Sequence, residues 1–299
     1  MNVPLAAHDR EIYLIINADD YGYFPSVNRG ILDAAREGAI TATGIMANGA
    51  ALDEHLNALK GVPDLDCGIH LNLTYGDPVT DRMKRHLERW GGIFPGKLSA
   101  AAAVLRGFVP LAAVEEEWRA QLVRCVVHGI TPAFLNSHEH VHMLPALFSI
   151  TSKLSREFSI DYVRWSMPDW HPMPGVGGLI RNLALASMSA VRHSRGRQPG
   201  QPRLLGVGVS GKLSMAYFER KLPTLKSGQV YELMCHPGYH DPAEIRDPSL
   251  TAYHAWEEEL SALRSPELSR LFEHYRVRRV RFTQLSTISS QHATDQDRH

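Results

Sequence analysis

The sequence predicts an α/β domain of barrel or barrel-like form. Three observations predict it. Apolar, β-branched runs alternate with segments of helical periodicity, about seven strand–helix units in one chain. Polar residues gather where the predicted strands end, as on the active-site rim of a parallel sheet. No repeat and no clear boundary divides the 299 residues, a length that a single α/β barrel reaches.

Tyr13 to Ala18 (YLIINA) is a short apolar run ending in Asp19 and Asp20, a buried strand with carboxylates at its C-terminal end. A turn at Gly22 to Ser26 leads to Val27, Ile31, Leu32 and Ala35 at helical spacing, closed by Gly38. Ile40 to Met46 reads as the second strand, Ala51 to Leu59 as a helix and Cys67 to Leu73 as the third strand. Residues 75–110 mix Pro, Gly and charge, and read as a long loop with some helix. Loops of that length are usually functional rims or lids. Leu111 to His128 is an amphipathic helix. Ala133 to Ser137 is a short strand running into His138-Glu139-His140-Val141-His142. A helix over Pro145 to Phe158 and a strand over Tyr162 to Met167 follow. Leu179 to Val191 is an Ala- and Leu-rich helix, and Arg192 to Arg203 is a basic, exposed loop. Strands at Leu205 to Val209 and Val230 to Cys235 flank a helix near Met215 to Leu222. Helices over Thr251 to Ser265 and Glu267 to Arg276 precede a last strand, Arg279 to Leu285. From Ser286 to His299 the chain is polar and without period. Residues 1–285 are therefore expected to fold as one domain and 286–299 to form a flexible tail.

Thirty-two basic and 32 acidic side chains cancel, so no global field exists to hold a nucleic-acid backbone. Cys67, Cys125 and Cys235 are too few for a disulfide framework and read as reduced thiols. Met1 to Arg10 lacks a charged-then-apolar leader, and nothing later approaches ~20 apolar residues. The cytoplasm is the expected location, with neither membrane nor nucleic acid as partner. An Asn72-Leu73-Thr74 glycosylation triplet carries little weight without a secretory signal. The unusual number is 16 histidines, because histidine is the commonest metal ligand and a frequent acid or base.

Asp19 and Asp20 end the first strand, His70 lies in the third, His138 ends a middle one and His236 a late one. Side chains 50 to 100 positions apart can thus converge on one rim. One carboxylate with two imidazoles is a usual open catalytic metal set, leaving coordination positions for water and substrate. Adjacent aspartates on a strand point to opposite faces, so the pair is expected to divide the labour unless the strand end twists. One ligates the metal; the other orients or deprotonates the water.

Four stretches in order carry a resemblance. They are Asn17-Ala18-Asp19-Asp20-Tyr21-Gly22 with Val27-Asn28-Arg29-Gly30-Ile31, Gly68-Ile69-His70-Leu71-Asn72-Leu73, Asn136-Ser137-His138-Glu139-His140-Val141-His142 and Glu232-Leu233-Met234-Cys235-His236-Pro237-Gly238. With them the chain resembles the YdjC-type carbohydrate deacetylases, which include the chitooligosaccharide deacetylases. The resemblance implies a deformed (β/α) barrel and one divalent metal ion, Mg2+ or Zn2+, held by Asp20, His70 and His138. It implies Asp19 as general base and His236 as general acid in removing an acetyl group from an N-acetylated sugar or short oligosaccharide. The expected partners are that small carbohydrate and, at most, a second copy of the chain. Tyr21 departs from the family, where phenylalanine is common.

Other residues keep two readings. His138, His140 and His142 share a face on an extended chain, with His140 and His142 expected to support or pack and Glu139 to point away. Arg164 is a solvent charge, or it orients the base or the substrate. Ser210 offers a hydroxyl at the rim. Trp165, Trp170 and Tyr239 are candidates to stack on a sugar face or are core and surface residues. Glu115 to Glu117 and Glu257 to Glu259 read as solvated helix faces, and Met143 and Met234 as packing. The Asp and His cluster with the basic loop also suits a metal-dependent phosphoesterase, although two-metal sites usually hold more ligands. A non-catalytic sugar- or metal-binding protein would need neither Asp19 nor His236.

Overall fold

A computed structural model describes residues 11–49, 52–170, 175–192 and 201–288. Strand β1 (Ile12–Tyr21) is buried along its whole length and lies mid-sheet. On one side come β2 (Ala42–Ile45), β3 (Asp66–Leu71), β4 (Phe134–Ser137) and β5 (Tyr162–Val163); on the other, β7 (Val230–Cys235) and then β6 (Arg203–Leu205). Every pairing is parallel. Helices α1 (Pro25–Arg36), α2 (Leu52–Leu59), α3 (Asp81–His86), α4 (Lys97–Leu105), α5 (Leu111–Val127) and α6 (Pro145–Glu157) belong to the first half. Helices α7 (Val176–Arg192), α8 (Met215–Lys221), α9 (Pro248–Tyr253), α10 (Trp256–Leu263) and α11 (Pro266–His274) belong to the second. The alternation of parallel strands with helices is the predicted barrel-like α/β domain.

The period of two along β1 divides the interior. Ile12, Leu14, Ile16 and Ala18 pack into the main core with the helices, whereas Tyr13 and Ile15 join Phe134, Val280 and Phe282 in a second cluster. Asn17 and Asp19 continue the row begun by Tyr13 and Ile15. The curl is therefore plugged by apolar side chains toward the strand N-termini and polar toward their C-termini.

Among the described residues no ladder joins β5 to β6, so the curl stays open there. Asp169 bridges the gap instead. Its carboxylate accepts from the Gly206 amide (3.0 Å), the Tyr217 hydroxyl (2.8 Å) and Lys221 Nζ (2.5 Å).

Several element ends shift. The strand expected at 205–209 is β6, displaced to 203–205, because Gly206 at φ 89° turns the chain into a 3-10 segment. The last strand, β8 (Val277–Arg279), is short because it pairs only Ile12 to Leu14 of β1, and β2 takes that edge from Asn17 onward. The helix expected over 251–265 is two, α9 and α10. The Ala255 amide leaves the helical ladder to bond Gly211 O (2.7 Å). The 75–110 segment holds α3 and α4. Ile288 is still buried with Leu285 in the second cluster, so order persists past Ser286; residues 289–299 and most of the basic loop, 193–200, lie outside the described residues.

Candidate metal centre

The site begins with an irregularity in β1. The β1–β2 ladder shifts register between Ala18 and Tyr21, and Asp20 takes a left-handed backbone, φ 71°. That twist undoes the strand alternation, so Asp19 and Asp20 both line one cavity of about 280 Å3 at the C-terminal rim. A non-glycine residue held left-handed is strained, and such strain concentrates at functional sites.

Asp20 Oδ1 lies 3.1 Å from His70 Nε2 and 2.8 Å from His138 Nδ1. One potential ligand atom from each of the three falls within 4.8 Å of the others. The fit to a metal is decided by a neighbour. Asn136 Nδ2 donates to Asp19 Oδ1 (2.9 Å), so Asn136 Oδ1 faces His70 Nδ1 (2.7 Å) as an acceptor. His70 Nδ1 must then carry the proton, and Nε2 keeps its lone pair for a cation. Burial pushes the Asp20 carboxyl up, but His138 and His70 outweigh it and hold the group well below the carboxylate range. Burial pushes His138 down, and Asp20 outweighs that in turn. An anionic carboxylate with two imidazoles suits a divalent ion.

Asp19 is buried behind this triad. Arg164 grips it from below, Nη1 to Oδ2 at 2.5 Å and Nη2 to Oδ1 at 2.9 Å. The same guanidinium reaches Glu232 Oε1 through Nε (2.8 Å), and Asn17 Nδ2 donates to that oxygen (2.9 Å). Burial pushes the Asp19 carboxyl up; Arg164, His70 and His236 more than offset this and lower it. Replacing a buried ion pair by apolar side chains is often neutral or stabilising by about 1–4 kcal/mol. The network's clearest effect is to fix and charge Asp19. Arg164 thus lies beneath Asp19 and is absent from the cavity lining, which corrects its reading as a substrate contact.

His236 follows β7 directly and lines the cavity near Met234 and His254. Its backbone amide donates to Glu259 Oε2 (2.5 Å), and its Nδ1 stands 4.0 Å from the same oxygen. Glu259 also accepts from the Leu213 amide (3.0 Å). His254 stacks on Trp256 (ring centroids 4.7 Å apart) and stands 5.1 Å from the His236 ring. Burial, then His236, push His254 down to about 3, so it is a neutral wall of the site.

Ser210 lines the cavity as expected, its Oγ accepting from Tyr253 (2.9 Å), and Arg181, Lys97, Glu139 and Tyr23 join it. Trp165 and Tyr239 do not. Trp165 is buried against Phe148, and the Tyr239 hydroxyl donates to Asp33 on α1 (3.0 Å). Trp170 is exposed and outside the lining. The chain over 138–143 is no extended segment: Glu139 and His140 are left-handed within a 3-10 turn. That turn swings Glu139 into the cavity instead of away from it. His140 pairs with Ser166 Oγ (2.8 Å), and His142 with Ser137 Oγ (2.5 Å) and the Arg164 carbonyl (2.9 Å). His140 also lines the cavity, whereas His142 does not.

Neither glutamate triplet is wholly solvated. Glu259 anchors His236, and Glu117 is fully buried, accepting from the Val79 and Thr80 amides. The Asn72 side chain is buried in the bonds that hold residues 72–75, so it is closed to a glycan. Asn136 and Glu232, whose hydrogen bonds hold His70, Asp19 and Arg164, stand in the same four stretches as the candidate ligands.

A profile of the YdjC-like protein family matches residues 13–274. A protein from Geobacillus stearothermophilus described as a carbohydrate deacetylase is 31% identical over 258 residues, covering 86% of this chain and 91% of its own. Another, from Brevibacillus brevis (strain 47), carries the same description and is 30% identical over 272 residues, 91% of this chain and 99% of its own. In three dimensions the chain is similar to a crystal structure from Enterococcus faecalis V583, a protein named for cellobiose-phosphate cleavage. The TM-score is 0.70 at 23% identity, covering 92% of this chain and 99% of that one, a likeness of fold. A match that runs from β1 to the end of α11 takes in every element that positions the triad, and the chain belongs to the YdjC-like family.

Proposed function

We propose that the chain is a metal-dependent carbohydrate deacetylase, hydrolysing the acetamide of an N-acetylated sugar to acetate and a free amine. The observation that carries it is the meeting of Asp20, His70 and His138 on one side of Asp19 in a single cavity, with His236 on the same lining. A divalent ion, zinc or magnesium, held by the three would supply a Lewis acid that polarises the carbonyl and makes water more acidic. Asp19, kept anionic by Arg164, takes the proton from the attacking water. As the oxygen–carbon bond forms and the carbon–nitrogen bond breaks, His236 gives a proton to the departing nitrogen. Ser210 and the Tyr253 hydroxyl offer polar contacts to the sugar. The three cysteines are free thiols, which supports a cytoplasmic location; among the described residues no helix is long and apolar enough to cross a membrane.

The test incubates the metal-loaded protein with N-acetylated sugars of several lengths and with sugar phosphates. Acetate, free amine and phosphate are measured side by side. Equal acetate and amine without phosphate is the expected result. Phosphate release without amine would replace this reading with the phosphoesterase one.

A further inference from the structure

Beside His236 the metal cavity has a second imidazole, His254. It follows α9 and is buried. Its backbone amide donates to the Leu250 carbonyl (2.8 Å). Its ring lies nearly flat on Trp256, the planes 15° apart, and Tyr253 meets it edge-on with centroids at 4.6 Å. The imidazole is therefore held in one orientation before any substrate enters.

Two properties fix what this ring can do. It is neutral, because burial and then His236 push it down to about 3. Asp20 favours its charged form, His138 and Arg181 oppose it, and the balance stays with the neutral ring. A neutral imidazole carries one hydrogen. Its Nδ1 is buried and faces no partner among the described residues. A buried N–H without an acceptor is rarer than an acceptor without a donor, so the hydrogen belongs on Nε2, the nitrogen left to face the cavity. Nearby hydroxyls are already committed: Tyr253 donates to Ser210 Oγ (2.9 Å) and Ser249 to Asp247 (2.7 Å). The potential ligand atoms that cluster among the described residues are those of Asp20, His70 and His138, without His254. The ring thus brings a fixed N–H to the site, its centroid 5.1 Å from that of His236. The nitrogen that His236 protonates and the acyl oxygen are bonded to the same carbon. A donor already in place costs no reorganisation when charge develops there.

We propose that His254 is a further catalytic residue, its Nε2–H donating a hydrogen bond to the acyl oxygen of the acetamide as that oxygen takes on negative charge. The hydrogen stays on His254 throughout; only His236 gives its proton away. The proposal rests on the deacetylase reading above. Its test compares two variants of the metal-loaded protein. His254→Phe keeps a ring on Trp256 and removes the donor, whereas His254→Gln removes the ring and keeps an N–H. With the β-1,4-linked dimer of N-acetylglucosamine, His254→Phe is expected to lower kcat roughly 10²- to 10³-fold. KM, bound metal and the midpoints of the pH–rate profile stay where they were. His254→Gln recovers part of the loss. Acetate, the product that carries the acyl oxygen, is expected to bind the Phe variant roughly tenfold or more weakly by calorimetry, a readout that needs no turnover. Should the Phe variant not melt cooperatively, His254→Leu, which is no larger than the native side chain, takes its place. A rate kept by Phe and lost by Gln marks a packing residue, and loss of metal marks a ligand. A shifted pH limb with an unchanged plateau marks a residue acting through His236. Each of these, or equal acetate affinity in all the proteins, overturns the proposal. Amine release by the unsubstituted protein judges the deacetylase reading separately: acetate binding that depends on His254, without amine release, leaves the donor standing and removes the reaction.

Discussion

Asp19 owes its charge to Arg164. Burial pushes the carboxyl up from its ordinary 3.8, and Arg164 heads the groups that bring it down. With a depressed folded value, Asp19 contributes stability that is complete above the ordinary carboxylate range and is lost as pH falls through the folded value. In Arg164→Gln burial acts without its main counter-charge, so the sign reverses. The carboxyl titrates higher, the acid limb of the pH–rate profile moves to higher pH, and stability relative to the parent improves as pH falls through the raised value. At pH 7 the variant is expected to lose about 3–5 kcal/mol in urea denaturation, the cost of breaking a buried pair. Asp19→Asn separates base from ligand: turnover falls roughly 10²- to 10⁴-fold while bound metal, read by elemental analysis, is unchanged. His138→Ala instead loses the metal. The convergence of Asp19, Asp20, His70 and His138 was legible as polar residues at strand ends. Arg164 was half-legible, because its partners Asp19 and Glu232 lie 145 and 68 residues away and only the curl of the sheet brings them together.

At the scale of elements, Gly30 shows why α1 matters to a site it does not line. A Cβ there would lie 2.5 Å from Gly238 Cα and 2.7 Å from its carbonyl carbon. Both are backbone atoms just past His236, and backbone cannot swing aside. Gly30→Ala is expected to cost about 1–3 kcal/mol by overpacking, measured by thermal melting, and to lower kcat by shifting the His236 loop while leaving bound metal in place. The strand–helix order was legible from periodicity. The 138–142 segment was misread because alternation assumes extended backbone, and two consecutive left-handed residues turn it inside out. Runs of glutamates likewise look alike in sequence, although one member of each, Glu117 and Glu259, is buried as a cap for backbone amides.

In the whole molecule a parallel sheet curls until its strand C-termini face one rim, with an apolar plug beneath and a charged network above. The barrel-like class followed from counting units. The gap between β5 and β6 did not, because its bridge is a set of side-chain contacts on Asp169 that no local pattern marks. What the architecture achieves is the meeting of residues from β1, β3 and the turn after β4 around one point. The most direct test follows amine release from an N-acetylated oligosaccharide before chelation, after it, and after a divalent ion is returned. Loss of more than about 99% of the rate on chelation and its recovery with roughly one zinc or magnesium ion per chain is expected. A full rate in chelator, with no metal left on the protein, would contradict the role given to Asp20, His70 and His138.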